Sequence, residues 1–190
     1  MLRRRDNNPA GTSHSARMHT LADAGKGVQT EQPVLALQVG SHLDPGIRRK
    51  HSPNEDTILV TQGSVPSTSP ATRPKPFALL IVADGMGGQA HGQEASRLAV
   101  RSLAEYVSGS LGSQQLKPDT FLSLLTAGVQ YANQVVHQHN REQRDTMGTT
   151  MTAALVMDST AYVAHVGDSR LYLYREPRGD SCRSHEITRS

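Results

Sequence analysis

The sequence predicts an α+β fold, with antiparallel strands, two consecutive helices, and antiparallel strands again. Three observations carry this. Residues 77–83 (FALLIVA) and 150–157 (TMTAALVM) are nearly continuous apolar runs of strand length. Between them, apolar residues recur at spacings of three and four over two long stretches, which is helical periodicity. After Gly148 the period becomes strand-like again, in short runs separated by turn dipeptides.

Residues 1–32 are polar and rich in Ser, Thr, Asn, Gly and His, and they read as a flexible tail preceding a domain over 33–190. A first strand is expected at Val34–Val39, ended by Gly40-Ser41 and by the turn Asp44-Pro45-Gly46. Thr57–Thr61 is the second strand. Residues 63–76 (GSVPSTSPATRPKP) carry four prolines and read as an exposed loop. Phe77–Ala83 is apolar on both faces, so a central strand covered on both sides is expected.

Residues 93–107 read as a helix, with Ala95, Leu98, Ala99, Ser102, Leu103, Tyr106 and Val107 on one stripe. Lys117-Pro118 opens a second helix, with Asp119 or Thr120 as its cap. Leu122, Leu125, Val129, Ala132 and Val136 would form its buried face. Thr149–Met157, Ala161–Val166 and Leu171–Arg175 are expected as strands of an antiparallel meander, turning at Asp158-Ser159 and Asp168-Ser169.

Composition narrows the function. The 190 residues suffice for one core, with 36% hydrophobic and 19% charged residues. The lone Cys182 rules out an internal disulfide and a cysteine-based zinc cluster, and suits a reducing, cytoplasmic setting. No apolar stretch approaches the roughly 20 residues that span a bilayer. Met1-Leu2-Arg3-Arg4-Arg5 begins like a signal peptide, but no apolar segment follows it. The net charge of +3 is spread over Arg3, Arg4, Arg5, Arg17 and Lys26 and over Arg48, Arg49 and Lys50, as on a solvated surface. With no tryptophan and 4% aromatics there is little for bases to stack on. A monomer without a nucleic-acid or membrane partner is expected.

Three clusters carry chemistry. They are Asn54-Glu55-Asp56, Asp84-Gly85-Met86-Gly87-Gly88 and Gly167-Asp168-Ser169-Arg170. Each puts a carboxylate at a strand end or turn. Asp84 emerges from seven apolar residues, where a charge needs a partner. The glycines after it free the backbone to approach a ligand. A carboxylate beside an exposed carbonyl supplies the hard oxygen ligands that Mg²⁺ and Mn²⁺ prefer. Strand, glycine turn, helix also describes nucleotide-binding loops. However, no Gly-x-x-x-x-Gly-Lys-Ser/Thr occurs, and an acid directly before the glycines suits a cation better than a pyrophosphate.

VADGMGG, MGTT and VGDSRLYLYR, in this order, resemble the early motifs of the PPM-type (type 2C) metal-dependent protein serine/threonine phosphatases, and DPGIRRKHSPNEDTILV resembles that family's opening motif. The resemblance runs from about Val34 to Thr188 and covers the N-terminal part of the catalytic domain. It implies an antiparallel β-sandwich flanked by helices in α-β-β-α layers. It also implies Mn²⁺ or Mg²⁺, as two ions with a third in bacterial members. Carried over by position, Asp84 resembles the carboxylate bridging two metals, and Gly85 offers its carbonyl to one of them. Glu55 and Asp56 match the acidic pair supporting the site, and Asp168 resembles a ligand of the weaker third metal. Bracing its own turn is the alternative role for Asp168. The phosphate-binding arginine falls on Arg49, with Arg48 open, because His51 holds the usual place. Met86 stands where some members have a histidine, and cannot transfer a proton.

The implied activity is hydrolysis of phosphoserine or phosphothreonine on proteins, such as the substrates of a Ser/Thr kinase, by a metal-activated water. The family's later metal-binding aspartates lie in an Asp-Gly and an Asp-Asn motif, and nothing after Asp168 matches either. A truncated form lacking those ligands is therefore expected. The alternative is a non-catalytic remnant acting as a binding module.

Overall fold

The computed structural model describes residues 37–47, 52–65, 74–88, 90–113, 117–175 and 183–188. The chain divides into two units, Met1–His42 and Leu43–Ser190. In the first unit, residues 37–42 are described and adopt no strand. The strand expected at Val34–Val39 is thus not formed over its described half, because an apolar segment becomes a strand only with a neighbour to pair with. Residues 34–36 and the tail expected over 1–32 lie outside the described residues.

The second unit runs β1 (Asp56–Val65), β2 (Lys75–Met86), α1 (Ala90–Ser113), α2 (Pro118–Gln143), β3 (Gly148–Thr149), β4 (Met151–Met157), β5 (Thr160–Val166), β6 (Tyr172–Arg175) and β7 (Arg183–Glu186). The main sheet has the order β1-β2-β4-β5, every pair antiparallel, and β3 pairs with the far end of β2. The expected strand Thr149–Met157 is thus divided at Thr150 into β3 and β4. The α+β class with an antiparallel sheet and a helical layer stands as read from the sequence.

β2 is central, as its apolar run predicts. Leu79, Ile81 and Ala83 are fully buried beneath the helices. The alternate residue Val82 is 44% exposed, so the helices cover one face and the expected double cover is absent there. The proline-rich stretch does not begin as a loop at 63, because β1 continues to Val65, which pairs with Lys75. Pro76 is tolerated because it sits at the start of β2, where a missing donor costs least.

α1 extends beyond the predicted 93–107 at both ends, and α2 opens at Pro118 as the sequence predicts. α1 packs on β1 and β2, and α2 on β4 and β5. Ala95, Ala99, Leu103 and Val107 bury the α1 face. In α2, Leu122 is 51% exposed, and Phe121 and Leu124 are buried in its stead. The rest of the predicted face holds, with Leu125, Ala132 and Val136 buried and Val129 packed against the core; at the first turn the ring of Phe121 packs on Tyr162 of β5, centroids 5.3 Å apart. Gly128 permits the close α1–α2 approach, since a Cβ there would lie 2.6 Å from Leu103 Cδ1. Neither expected cap forms. Lys117 holds the N-cap position without a side-chain bond, and Thr120 Oγ1 donates back to Lys117 O at 2.6 Å.

β4 and β5 join through Asp158-Ser159 as predicted, with Asp158 at φ 52, a left-handed conformation that aspartate tolerates in two-residue hairpin turns. The meander ends there. β6 leaves the sheet and pairs with β7. Gly167 at φ 102 redirects the chain, and Leu171 donates to Thr188 Oγ1 (3.0 Å) while accepting from Ile187 N–H (2.8 Å). A second sheet is thus present among the described residues as this β6–β7 pair. Arg170 braces it: a hydrogen bond with Tyr172 and the nearby Glu186 carboxylate raise its pKa above the ordinary value. Among the described residues, no helix is long and apolar enough to cross a membrane.

Candidate active site

The three motif clusters meet at one end of the main sheet. The β1–β2 register places Asp56 directly opposite Asp84. Directly paired residues of an antiparallel ladder share a face, with Cβ atoms about 5 Å apart. Ala83, the neighbour of Asp84, is buried under α1, so the Asp84 carboxylate lies on the opposite, open face and is exposed.

The peptide of Asp84 is fixed on both sides. Its N–H donates to Thr150 Oγ1 at 3.0 Å. Its carbonyl accepts from Thr150 N–H and from Thr149 Oγ1, each at 2.9 Å. Gly85 N–H donates to Glu55 O at 3.2 Å, joining the second cluster to the first. Asp56 N–H is capped by Asn54 Oδ1 at 3.0 Å.

α1 clamps this junction. Gln93 Nε2 donates to Asn54 O at 3.1 Å and Ser96 Oγ to Glu55 O at 2.7 Å. Gly85 and Gly92 touch backbone to backbone, because a Cβ on Gly85 would fall 1.9 Å from Gly92 O. A Cβ on Gly92 would lie 2.9 Å from Gly85 O and 3.2 Å from the carboxyl carbon of Glu55. The absence of side chains at these two positions therefore leaves a cradle holding a carbonyl and a carboxylate. The Glu55 carboxyl lies by Gly92 in the first turn of α1, where a helix N-terminus favours negative charge, while Asp56 stands opposite Asp84 in the ladder.

The third cluster docks through Thr150. Ser169 Oγ lies 2.8 Å from Thr150 Oγ1, and a Cβ on Gly167 would strike Thr150 Cγ2 at 2.7 Å. The side chain that ties this turn is thus Ser169, and Asp168 is exposed beside it. Arg48 and Arg49 lie outside the described residues. Met86 is 55% exposed and lines, with Val129, Val136, Met147 and Met151, a groove of about 690 Å³ between α2 and the sheet.

The donor set at this sheet end is all hard oxygen: the Asp84, Asp56 and Glu55 carboxylates and the Gly85 carbonyl. That chemistry fits Mg²⁺ or Mn²⁺ and not a soft ion. Among the described residues, no three His, Cys, Asp or Glu side chains converge closely enough to hold an ion on their own. The register puts Asp56 and Asp84 on one face of the sheet, with Glu55 on the other side of β1. Of the residues that tie these clusters together, Ser169 belongs to the Gly167-Asp168-Ser169-Arg170 motif, while Gln93, Ser96 and Thr150 are not among the candidate site residues of the sequence. The signal for Thr150 is its place in MGTT at the opening of a buried strand; Gln93 and Ser96 carry none.

A family model described as Protein phosphatase 2C matches residues 47–181. Serine/threonine protein phosphatase PstP of Mycobacterium tuberculosis is 37% identical over 144 residues, which cover 75% of this chain and 24% of that protein. Serine/threonine phosphatase stp of Listeria monocytogenes is 34% identical over 119 residues, 59% of this chain and 46% of that one. Among solved structures, serine/threonine phosphatase Stp1 from Staphylococcus aureus superposes with a TM-score of 0.55 at 26% identity, over 76% of this chain and 50% of that chain. Mycobacterium tuberculosis PstP gives 0.53 at 29% identity, over 73% and 49%. The chain thus spans between a quarter and a half of the length of these relatives.

Proposed function

Because the chain belongs to the protein phosphatase 2C family, we propose that the Asp56–Asp84 end of its sheet is part of a Mn²⁺- or Mg²⁺-dependent site hydrolysing phosphoserine and phosphothreonine on proteins. The observation that carries this is the register pairing Asp56 with Asp84 on an open face, beside the Gly85 carbonyl and the Gly92 cradle. Asp84, Asp56 and the Gly85 carbonyl would hold metal, with Glu55 and Asp168 contributing directly or through water. Metal bound there would stabilise charge on the phosphate oxygens and activate a water for attack on phosphorus.

The chain's own residues do the positioning. Thr149 and Thr150 hold the Asp84 peptide so that its carboxylate need not reorganise on binding. Gln93 and Ser96 hold the Asn54–Glu55 backbone against α1. Arg49 would receive the phosphate dianion through its planar fork, with Arg48 as the other candidate. Met86 supplies no proton, so protonation of the leaving group, where needed, falls to water or another group. The substrates would be phosphoproteins, including those made by a Ser/Thr kinase, and the protein would act as a cytoplasmic monomer. The domain bearing this site would begin near residue 33, after the polar tail.

A second reading, a module that binds partners without hydrolysis, draws on the pairwise carboxylate cluster, since no third such group converges among the described residues. Metal binding separates the two. Mn²⁺ titrated into the chain, followed by electron paramagnetic resonance, should be taken up, and Asp84→Ala should abolish that uptake. Uptake unchanged by Asp84→Ala would leave the binding module as the better account.

A further inference from the structure

The loop that follows Asp84 is held from a direction the metal reading does not use. Gly87 has φ 133, open to glycine alone. A Cβ on it would lie 3.2 Å from Met147 Cα and 3.3 Å from His91 Cβ. The loop is therefore seated between the start of α1 and the turn joining α2 to β3. That turn is hydrogen-bonded on its own side. Asn140 Nδ2 donates to Met147 O at 2.7 Å, and Met147 N–H donates to Asn140 Oδ1 at 3.1 Å. Asp145 N–H donates to Asn140 O at 2.9 Å behind the left-handed Arg144.

One side chain joins the two jaws. His91 Nδ1 lies 2.9 Å from Asp145 Oδ1, an oxygen that also accepts Thr146 N–H at 2.7 Å. The Asp145 side chain is 18% exposed and the His91 side chain 55%, so the tie lies at the surface with its acceptor partly shielded from water. His91 N–H in turn donates to Gly88 O at 3.1 Å, which ties the ring's own backbone to the loop. Both neutral and protonated imidazole can offer a proton at Nδ1, so the tie needs no change of charge.

We infer that His91 is a positioning residue whose hydrogen bond to Asp145 closes the start of α1 onto the α2–β3 turn and so sets the Gly85–Gly88 loop. That the loop is set for metal rests on the function proposed above; that it is set at all does not. His91→Ala isolates the tie, because it keeps the Cβ that backs Gly87 and removes only the ring. His91→Asn restores it, since an Asn Nδ2–H can occupy the place of Nδ1–H.

The test is amide hydrogen exchange on the full 190-residue chain without metal. His91→Ala and Asp145→Ala should each speed exchange of the Gly85–Gly88 amides by about threefold to tenfold, the range a single hydrogen bond supports. Amides of β4 should keep their rates, and His91→Asn should return the loop to wild type. Wild-type loop rates in His91→Ala, equal acceleration throughout the chain, or no rescue by asparagine would each overturn the inference. Mn²⁺ affinity keeps the two readings apart. If Asp84→Ala leaves it unchanged, the metal reading fails and exchange alone judges His91. If Asp84→Ala abolishes it while His91→Ala does not weaken it by about threefold or more, the tie does not serve the site and the inference falls.

Discussion

Replacing Gly85 with alanine puts a methyl group where the backbone of α1 already stands. The added Cβ would sit 1.9 Å from Gly92 O, 2.4 Å from Gly92 C and 2.9 Å from Glu55 O. None of these atoms belongs to a flexible side chain, so no rotamer change relieves the overlap. The first turn of α1 must move from β2 by about 1 Å, which costs about 3 kcal/mol, the upper end for overpacking. In a chain of this size that lowers the melting temperature by about 6–12 °C. Gly88→Ala is the control. It has φ 76 and nothing within 4 Å, so only left-handed strain of about 1 kcal/mol is expected there. Circular dichroism melts of both variants beside wild type give the comparison. A Gly85→Ala melt within about 2 °C of wild type, or a larger loss for Gly88→Ala, would refute the close backbone approach on which the site geometry depends.

Thr150→Val keeps shape but strips the hydroxyl from Asp84 N–H and from Ser169, and should cost about 1–3 kcal/mol in urea unfolding; a neutral result would mean that Thr150 does not join the clusters. Leu103→Ala, at a fully buried position packed against Gly128, should cost about 2–5 kcal/mol, and a loss below about 1 kcal/mol would contradict the α1–α2 contact. Arg49→Ala, in the chain completed by the C-terminal part of a relative, should raise KM with kcat little changed, because the role proposed for Arg49 is to receive the phosphate and not to hold metal; a fall in kcat alone would contradict that role.

Much of the fold was legible because local pattern and tertiary role agree. The seven apolar residues before Asp84 do form the central strand, and Asp158-Ser159 is the hairpin turn its residue types suggest. Illegibility began where long-range pairing overrides local signals. Four prolines between 63 and 76 masked the continuation of β1 to Val65 and the start of β2 at Lys75. The α2 face was legible from Leu125 to Val136, but at its first turn Phe121 takes the core place expected of Leu122 because it meets Tyr162, a contact that spacing cannot foretell. β6 resembled a third meander strand, yet its partner comes from residues 183–186. At the site, Asp84, Asp56 and Gly85 were legible as residue types at strand ends. Their juxtaposition was not, since it follows from the register. Gln93 and Ser96 were invisible because a lone polar residue on a helix looks like surface until its partner is known, and Ser169 was visible only as part of its turn motif, without its bond to Thr150.

The central claim is that Asp84 holds the metal on which phosphate ester hydrolysis depends. It is tested most directly by joining this chain to the C-terminal part of a close relative and measuring kcat/KM on a phosphothreonine peptide across a Mn²⁺ titration. The account predicts activity that requires Mn²⁺ and that Asp84→Ala lowers by more than about a hundredfold, beyond the loss typical of residues that only orient metal ligands. Activity that survives Asp84→Ala but disappears on substitution of Met86 would contradict it, moving the chemistry from the carboxylate pair to the loop.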